Sequence, residues 1–292
     1  MGIGEACSIG AAISWAGGVI VYKRLGETLS PLTLNLAKNV LVLGMIAPTV
    51  LLVHGPQIPA LPASAIALSL VSGVLGIALA DTLYFRALNT LGAGRMGIVG
   101  NFYSPFVIVL SFVLLGERLN GLQLAGFALV SGGVLIVSSH DPHKRLSRAE
   151  LRRGAMLGVT AVLLMASAIV MVKRILEVQP LLWIVLLRLI GGVVGMLVLF
   201  AWRREPLPIP GRGIHLRWPL LVLAAFLGQY VSMVLWMAGY KYTEASVAAV
   251  LNETASVFIV LLAALFLREG LDARRLAGVT CTLSGVACML AA

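Results

Sequence analysis

Glu253 is one of only twelve acidic residues in 292, and it falls inside a long apolar run. An ionised side chain at a bilayer centre costs roughly 2.5 to 3.5 kcal/mol on insertion scales, so it persists where it faces water, a partner or a ligand. Glu253 stands about eight residues into its run, roughly 12 Å deep at a helical rise of about 1.5 Å per residue. It is therefore a candidate proton- or cation-binding group, and Asn252 beside it adds a second polar side chain. The structural alternative is a protonated carboxyl bonded to a neighbouring helix.

Asn101, Tyr103, Ser104 and Pro105 form another polar knot in an earlier apolar run. Pro105 removes a backbone donor and permits a kink. Asn101 and Pro105 are four apart and share a helix face. Lining a cavity and bonding helix to helix are both open roles here. A third set joins Asp81, with Tyr84 and Phe85 one turn on, to Gln229, Ser232, Trp236 and Tyr240 at helical spacing. Such a stripe suits an organic substrate through stacking and hydrogen bonds. An interfacial aromatic belt is the alternative, and it fits Tyr240 better than Gln229. Trp15 faces the same choice. Asp81 has a nearer explanation, a pair with Lys38 or Arg86. Lys38 is shallow enough to snorkel to the interface. Arg188 lies deeper and is placed to meet an anionic substrate or Glu253.

The elements that hold these residues are membrane helices. The chain is 60% hydrophobic and 12% charged, with a mean hydropathy of +1.00, whereas a soluble domain carries about 25% charged residues. The net charge of +10 does not mark a nucleic-acid surface, because the basic residues sit in short links between apolar runs. The lipid bilayer is the expected partner and nucleic acid is not. Cys7, Cys281 and Cys288 are odd in number and match no metal-binding spacing. His54, His140, His143 and His215 all lie in links. No motif for a cofactor, metal or catalytic triad is present, so no enzyme is expected.

At about 20 apolar residues per crossing, ten helices fit, near 4–22, 31–53, 64–88, 96–115, 121–138, 154–172, 180–202, 218–240, 245–267 and 273–291. Asn120 and Asp272 stand as N-caps before the fifth and tenth. Small-residue seams run through Gly10-x-x-x-Ser14-x-x-x-Gly18, Ser72-x-x-x-Gly76 and Gly191-x-x-x-Gly195, where backbones can approach closely.

The chain also repeats itself. Gly92–Val137 lies over Glu244–Met289 without a gap at an offset of 152, matching Glu117 to Glu269 and Leu124-Ala125-Gly126 to Leu276-Ala277-Gly278. Ser8–Glu27 lies over Gly158–Glu177 at an offset of 150. The division is a first repeat at 1–139, a basic linker at 140–153 and a second repeat at 154–292. Five crossings per repeat is odd, so the second copy enters inverted, as in secondary transporters. Glu117 and Glu269 then read as structural, closing turns and favouring the positive end of the helix that follows each.

These residues resemble the EamA-type branch of the drug/metabolite transporter superfamily. The pieces that carry the likeness are Gly116-Glu117-Arg118-Leu119, Arg268-Glu269, the two Leu-Ala-Gly triplets and the early basic residues Lys38 and Arg188. The resemblance implies an all-α membrane protein of two inverted five-helix bundles. It implies a plasma-membrane (bacterial inner-membrane) carrier, an exporter of an amino acid, drug or related metabolite, coupled to a proton or other cation. An importer, a channel and a non-transporting membrane protein are the alternatives, and a homodimer is open. One feature departs from the family. Four basic residues flank the N-terminal face (Arg118, Lys173, Arg174, Lys241) and sixteen the other. The positive-inside rule then puts both termini outside the cytoplasm, whereas family members usually keep them in it.

Overall fold

The computed structural model describes residues 1–26, 30–55, 57, 59–138, 146–203, 218–267 and 273–292. The apolar runs fold as ten helical crossings, with no strand among the described residues. They are α1 (Ile3–Gly26), α2 (Pro31–His54), α3 (Ala63–Leu91), α4 (Ala93–Gly100 continued by Tyr103–Leu115) and α5 (Gly121–Ser138). The second set is α6 (Arg148–Val178), α7 (Leu181–Arg203), α8 (Trp218–Tyr242), α9 (Ala245–Glu253 continued by Ala255–Leu267) and α10 (Ala273–Ala291).

Local chemistry sets the ends. Ser30 caps α2 by accepting from the Thr33 N–H at 3.2 Å, with Pro31 in the first turn. Asn120 caps α5, its side chain accepting from the Gln123 N–H at 2.9 Å. Asp272 and Glu269 lie outside the described residues. Helix α6 starts six residues earlier than expected from hydropathy. A reciprocal cap explains this: Ser147 Oγ accepts from the Glu150 N–H, and the Glu150 carboxylate accepts from the Ser147 N–H at 2.9 Å. Arg148, Arg152 and Arg153 thereby become exposed residues of a helix rather than of a link.

The internal repeat is written into the irregularities. A π-helical stretch occupies Val74–Ala80 in α3 and Phe226–Val231 in α8, starting 152 residues apart. Helix α4 breaks at Asn101 and Phe102, and α9 breaks at Thr254, the position 152 beyond Phe102. Close approaches repeat as well. A Cβ on Gly18 of α1 would lie 2.2 Å from the Gly228 Cα of α8, and a Cβ on Gly76 of α3 would lie 3.0 Å from the Ala168 Cβ of α6. Gly18 and Ala168 are equivalent positions, as are Gly76 and Gly228. Helices α5 and α10 cross on themselves about the pseudo-two-fold, Gly126 against Gly285 and Gly133 against Gly278.

Packing does not follow the repeats as separate bundles. Helix α1 packs on α8 and α9, and α2 on α8; equivalently, α6 packs on α3 and α4, and α7 on α3. Each group of four therefore mixes both repeats, and α5 with α10 forms the crossing pair. The core sits where the groups meet, with Ile46, Ile169, Ile184, Leu189, Met196 and Phe200 buried. Leu52, Val113 and Val198 are exposed on the outside, as lipid-facing side chains should be.

Candidate functional site

The boundary between the two four-helix groups carries most of the charged side chains that the sequence singled out, with some of the polar ones. Lys38 is fully buried on α2. It does not snorkel. Its ammonium donates to the Asp81 carboxylate of α3 at 2.8 Å and to the Gln229 side chain of α8 at 3.2 Å, and it stands 5.2 Å from the Phe85 ring centroid. Gln229 in turn donates to Asn39 at 3.3 Å. Asn39 donates to the Asn35 side chain at 2.9 Å, and Asn35 donates to the Ile77 carbonyl at 2.8 Å and to Thr82 at 3.2 Å. Ile77 lies in the π-helical stretch of α3, where widened turns leave a carbonyl to be met by a side chain. Asn35 and Asn39 were not among the expected site residues. Their spacing of three and one from Lys38 in an apolar helix was the available signal.

Arg188 occupies the equivalent place on α7, also buried. It donates to the Ser72 hydroxyl and to the Ala168 carbonyl at 3.2 Å, and its guanidinium lies 5.6 Å from the Trp236 ring centroid. No ion pair joins it to Glu253 among the described residues. Trp236 packs edge-on against Tyr240 with centroids 5.0 Å apart, and the Tyr240 and Tyr103 hydroxyls share a hydrogen bond of 2.7 Å. Tyr240 is fully buried, so it is not a belt residue. The α8 stripe divides by helical phase: Gln229, Trp236 and Tyr240 face the boundary, while Ser232 donates to the Ala11 carbonyl of α1 at 3.2 Å.

Glu253 ends the first piece of α9. Its Oε1 accepts from the Ser104 N–H at 3.1 Å. That N–H is one of the unpaired donors at the start of the second piece of α4. Pro105 contributes to the break there, because it cannot donate to the Asn101 carbonyl four residues back. Glu253 Oε2 and Asn101 Oδ1 are buried, with the Ser104 and Ser131 hydroxyls beside the Glu253 carboxylate. Asn101 Nδ2 donates to the Ser131 carbonyl at 3.2 Å. The break in α9 has no proline; Thr254 supports it by donating to the Leu251 carbonyl at 2.6 Å.

Other expected residues lie outside this constellation. Asn252 donates back to the Ala248 carbonyl of its own helix at 2.7 Å. Trp15 packs beside Leu34, Leu221 and Ala224 in a separate apolar cluster, and Tyr84 packs against the Ala87, Leu91 and Met96 cluster. Glu117 reaches not the following helix but α9. Its carboxylate accepts from the Ala245 and Ser246 N–H groups at 2.9 and 3.0 Å and from the Ser246 hydroxyl at 2.9 Å. It neutralises the N-terminus of the helix that carries Glu253. On that same face, a cavity of about 320 Å³ is lined by Glu117, Lys173, Arg174, Glu177, Lys241 and Glu244.

Residues 2–139 and 152–291 each match the sequence profile of the EamA-like transporter family. Protein PecM of Dickeya dadantii (strain 3937) is 27% identical over 224 residues, covering 74% of this chain and 71% of that protein. The uncharacterized transporter YetK of Bacillus subtilis (strain 168) is 21% identical over 289 residues, covering 97% and 86%. A protein crystal structure with 17% identity superimposes at a TM-score of 0.80 over 98% of this chain and 95% of the other, a likeness of fold.

Proposed function

The chain belongs to the EamA-like transporter family and is a multi-pass membrane transporter, and from that premise we propose that it exports a small organic solute by alternating access. The observation that supports this reading is one juxtaposition. Two inverted repeats bring Lys38, Arg188 and Glu253, all buried, to the boundary between two helix groups. Inverted repeats build substrate and ion sites there. Asp81, Gln229, Asn101, Tyr103 and Trp236 supply the polar and aromatic surroundings. Glu253 is the group that takes up and releases the coupling proton or cation. Its carboxylate and the freed Ser104 N–H belong to different helix groups, so binding there is linked to their relative position. A carrier is favoured over an enzyme, since the family matched along the chain is one of transporters. The repeats at 1–139 and 154–292, joined through 140–153, supply the halves of the site. We place the protein in the plasma membrane, with both termini on the non-cytoplasmic side.

The test is a metabolite-export and resistance screen followed by counterflow in proteoliposomes, with wild type beside Glu253→Gln. Wild type should show saturation and counterflow, which a channel would not. The variant should insert normally and lose coupled transport. Unchanged transport in the variant would end the assignment of Glu253.

A further inference from the structure

The two basic residues at equivalent positions are compensated differently. Lys38 has a carboxylate at 2.8 Å. The position 152 beyond Asp81 is Met233, and the position 152 before Gln229 is Ile77. The cation is therefore kept at Arg188, while the positions equivalent to both partners of Lys38 are apolar, Met233 in the second repeat and Ile77 in the first. Arg188 is left with two neutral acceptors, the Ser72 hydroxyl and the Ala168 carbonyl. It is 2% exposed, and its Nε has no hydrogen-bond partner. No carboxylate among the described residues pairs directly with Arg188, and Asp81, already bound to Lys38, acts on it only from a distance; a buried guanidinium so placed is costly, and its planar fork matches an oxyanion in a bidentate manner. The other basic groups nearby are already satisfied: Lys173 pairs with Glu177, and Lys241 donates to the Leu176, Glu177 and Gln179 carbonyls at the end of α6.

We propose that Arg188 binds the oxyanion of the transported solute, and that this solute is a small aromatic anion of the carboxylate type. The aromatic preference follows from the surroundings. Trp236 lies against the guanidinium, Tyr240 packs on Trp236, and Tyr103 is bonded to Tyr240. Trp236 and Tyr103 are only partly buried, and both stand at the boundary between the helix groups. The inference rests on the transporter reading and gives it a substrate class.

Its test uses three probes that share a ring and differ in charge: benzoate, benzamide and benzylammonium. Each is titrated into wild-type protein in detergent, and the unfolding midpoint is read. Benzoate alone should raise it, by roughly 3 °C at saturating concentration. Arg188→Gln should abolish the shift and Arg188→Lys should keep part of it. Equal stabilisation by benzamide or benzylammonium, no stabilisation by benzoate, or a benzoate shift that survives in Arg188→Gln would each overturn the proposal. The wild-type selectivity is informative even if a variant does not fold. Counterflow of a mixed metabolite panel by the same preparation separates the two readings. If panel solutes exchange but benzoate fails to bind, only the anion proposal falls; if nothing exchanges, the transport reading falls with it.

Discussion

At the scale of single residues, the Lys38–Asp81 pair is the interaction most sensitive to change. Lys38 is fully buried, and the Asp81 side chain is 17% exposed. Removing one member strands the other charge in a low-dielectric setting, whereas replacing both by apolar groups leaves nothing stranded. Lys38→Ala should therefore lower stability by about 3 kcal/mol, and Lys38→Met combined with Asp81→Leu should recover most of it. Unfolding in detergent measures both. The Tyr103–Tyr240 bond spans the two helix groups, so a double-mutant cycle of the two Phe variants should give a coupling of about 1 kcal/mol. Charged residues in apolar text are rare, which is why Lys38, Asp81, Arg188 and Glu253 were visible in the sequence. Their partners were less so. The bonds from Lys38 to Asp81, from Ser104 to Glu253 and from Lys38 to Gln229 span 43, 149 and 191 residues. Separations of that size are set by packing and leave no local trace.

Elements carry the repeat and also its defects. Ten apolar runs and five-plus-five inversion could be read from hydropathy and self-similarity, because lipid demands about 20 apolar residues per crossing. The break in α4 had a signal in Pro105. The matching break in α9 had none, since Val257 stands at the equivalent position. The start of α6 was misplaced for a related reason: hydropathy marks where a helix enters lipid, and the Ser147–Glu150 cap marks where the helix begins. Glu117 shows the same limit, as its acceptor role toward α9 comes from tertiary placement. Glu117→Ala should cost about 1 to 2 kcal/mol and increase amide exchange in the first turn of α9, with little change in α5. The α1–α8 seam gives a sharper test. A side chain on Gly18 would collide with the Gly228 backbone, which cannot yield as a side-chain tip can, whereas Gly17 has nothing within 4 Å. Gly18→Ala should destabilise by about 2 kcal/mol or more and reduce the monodisperse fraction on size exclusion. Gly17→Ala should leave that fraction unchanged.

For the whole molecule, orientation is the property that sequence and packing constrain together. Ten crossings return the C-terminus to the face of the N-terminus, and Met1, Gly2 and Ala292 line one surface pocket. A single reporter at Ala292 therefore reads both ends. The four basic residues of this face are largely engaged in the protein. Lys173, Arg174 and Lys241 line the same cavity as Glu117, Glu177 and Glu244, so acids accompany them. On the opposite face, Arg148, Arg152 and Arg153 project exposed from the first turns of α6. Positive-inside bias acts through basic residues close to the membrane ends and counts acids little, so the opposite face should be retained in the cytoplasm. A periplasmically active reporter fused after Ala292 should give signal and a cytoplasm-dependent one should not. If the charge bias is the cause, Arg148→Gln with Arg152→Gln and Arg153→Gln should move a fraction of molecules to the reverse orientation. A cytoplasmic signal from the wild-type fusion would mean that the sixteen-to-four excess is overridden, and the usual family orientation would then hold.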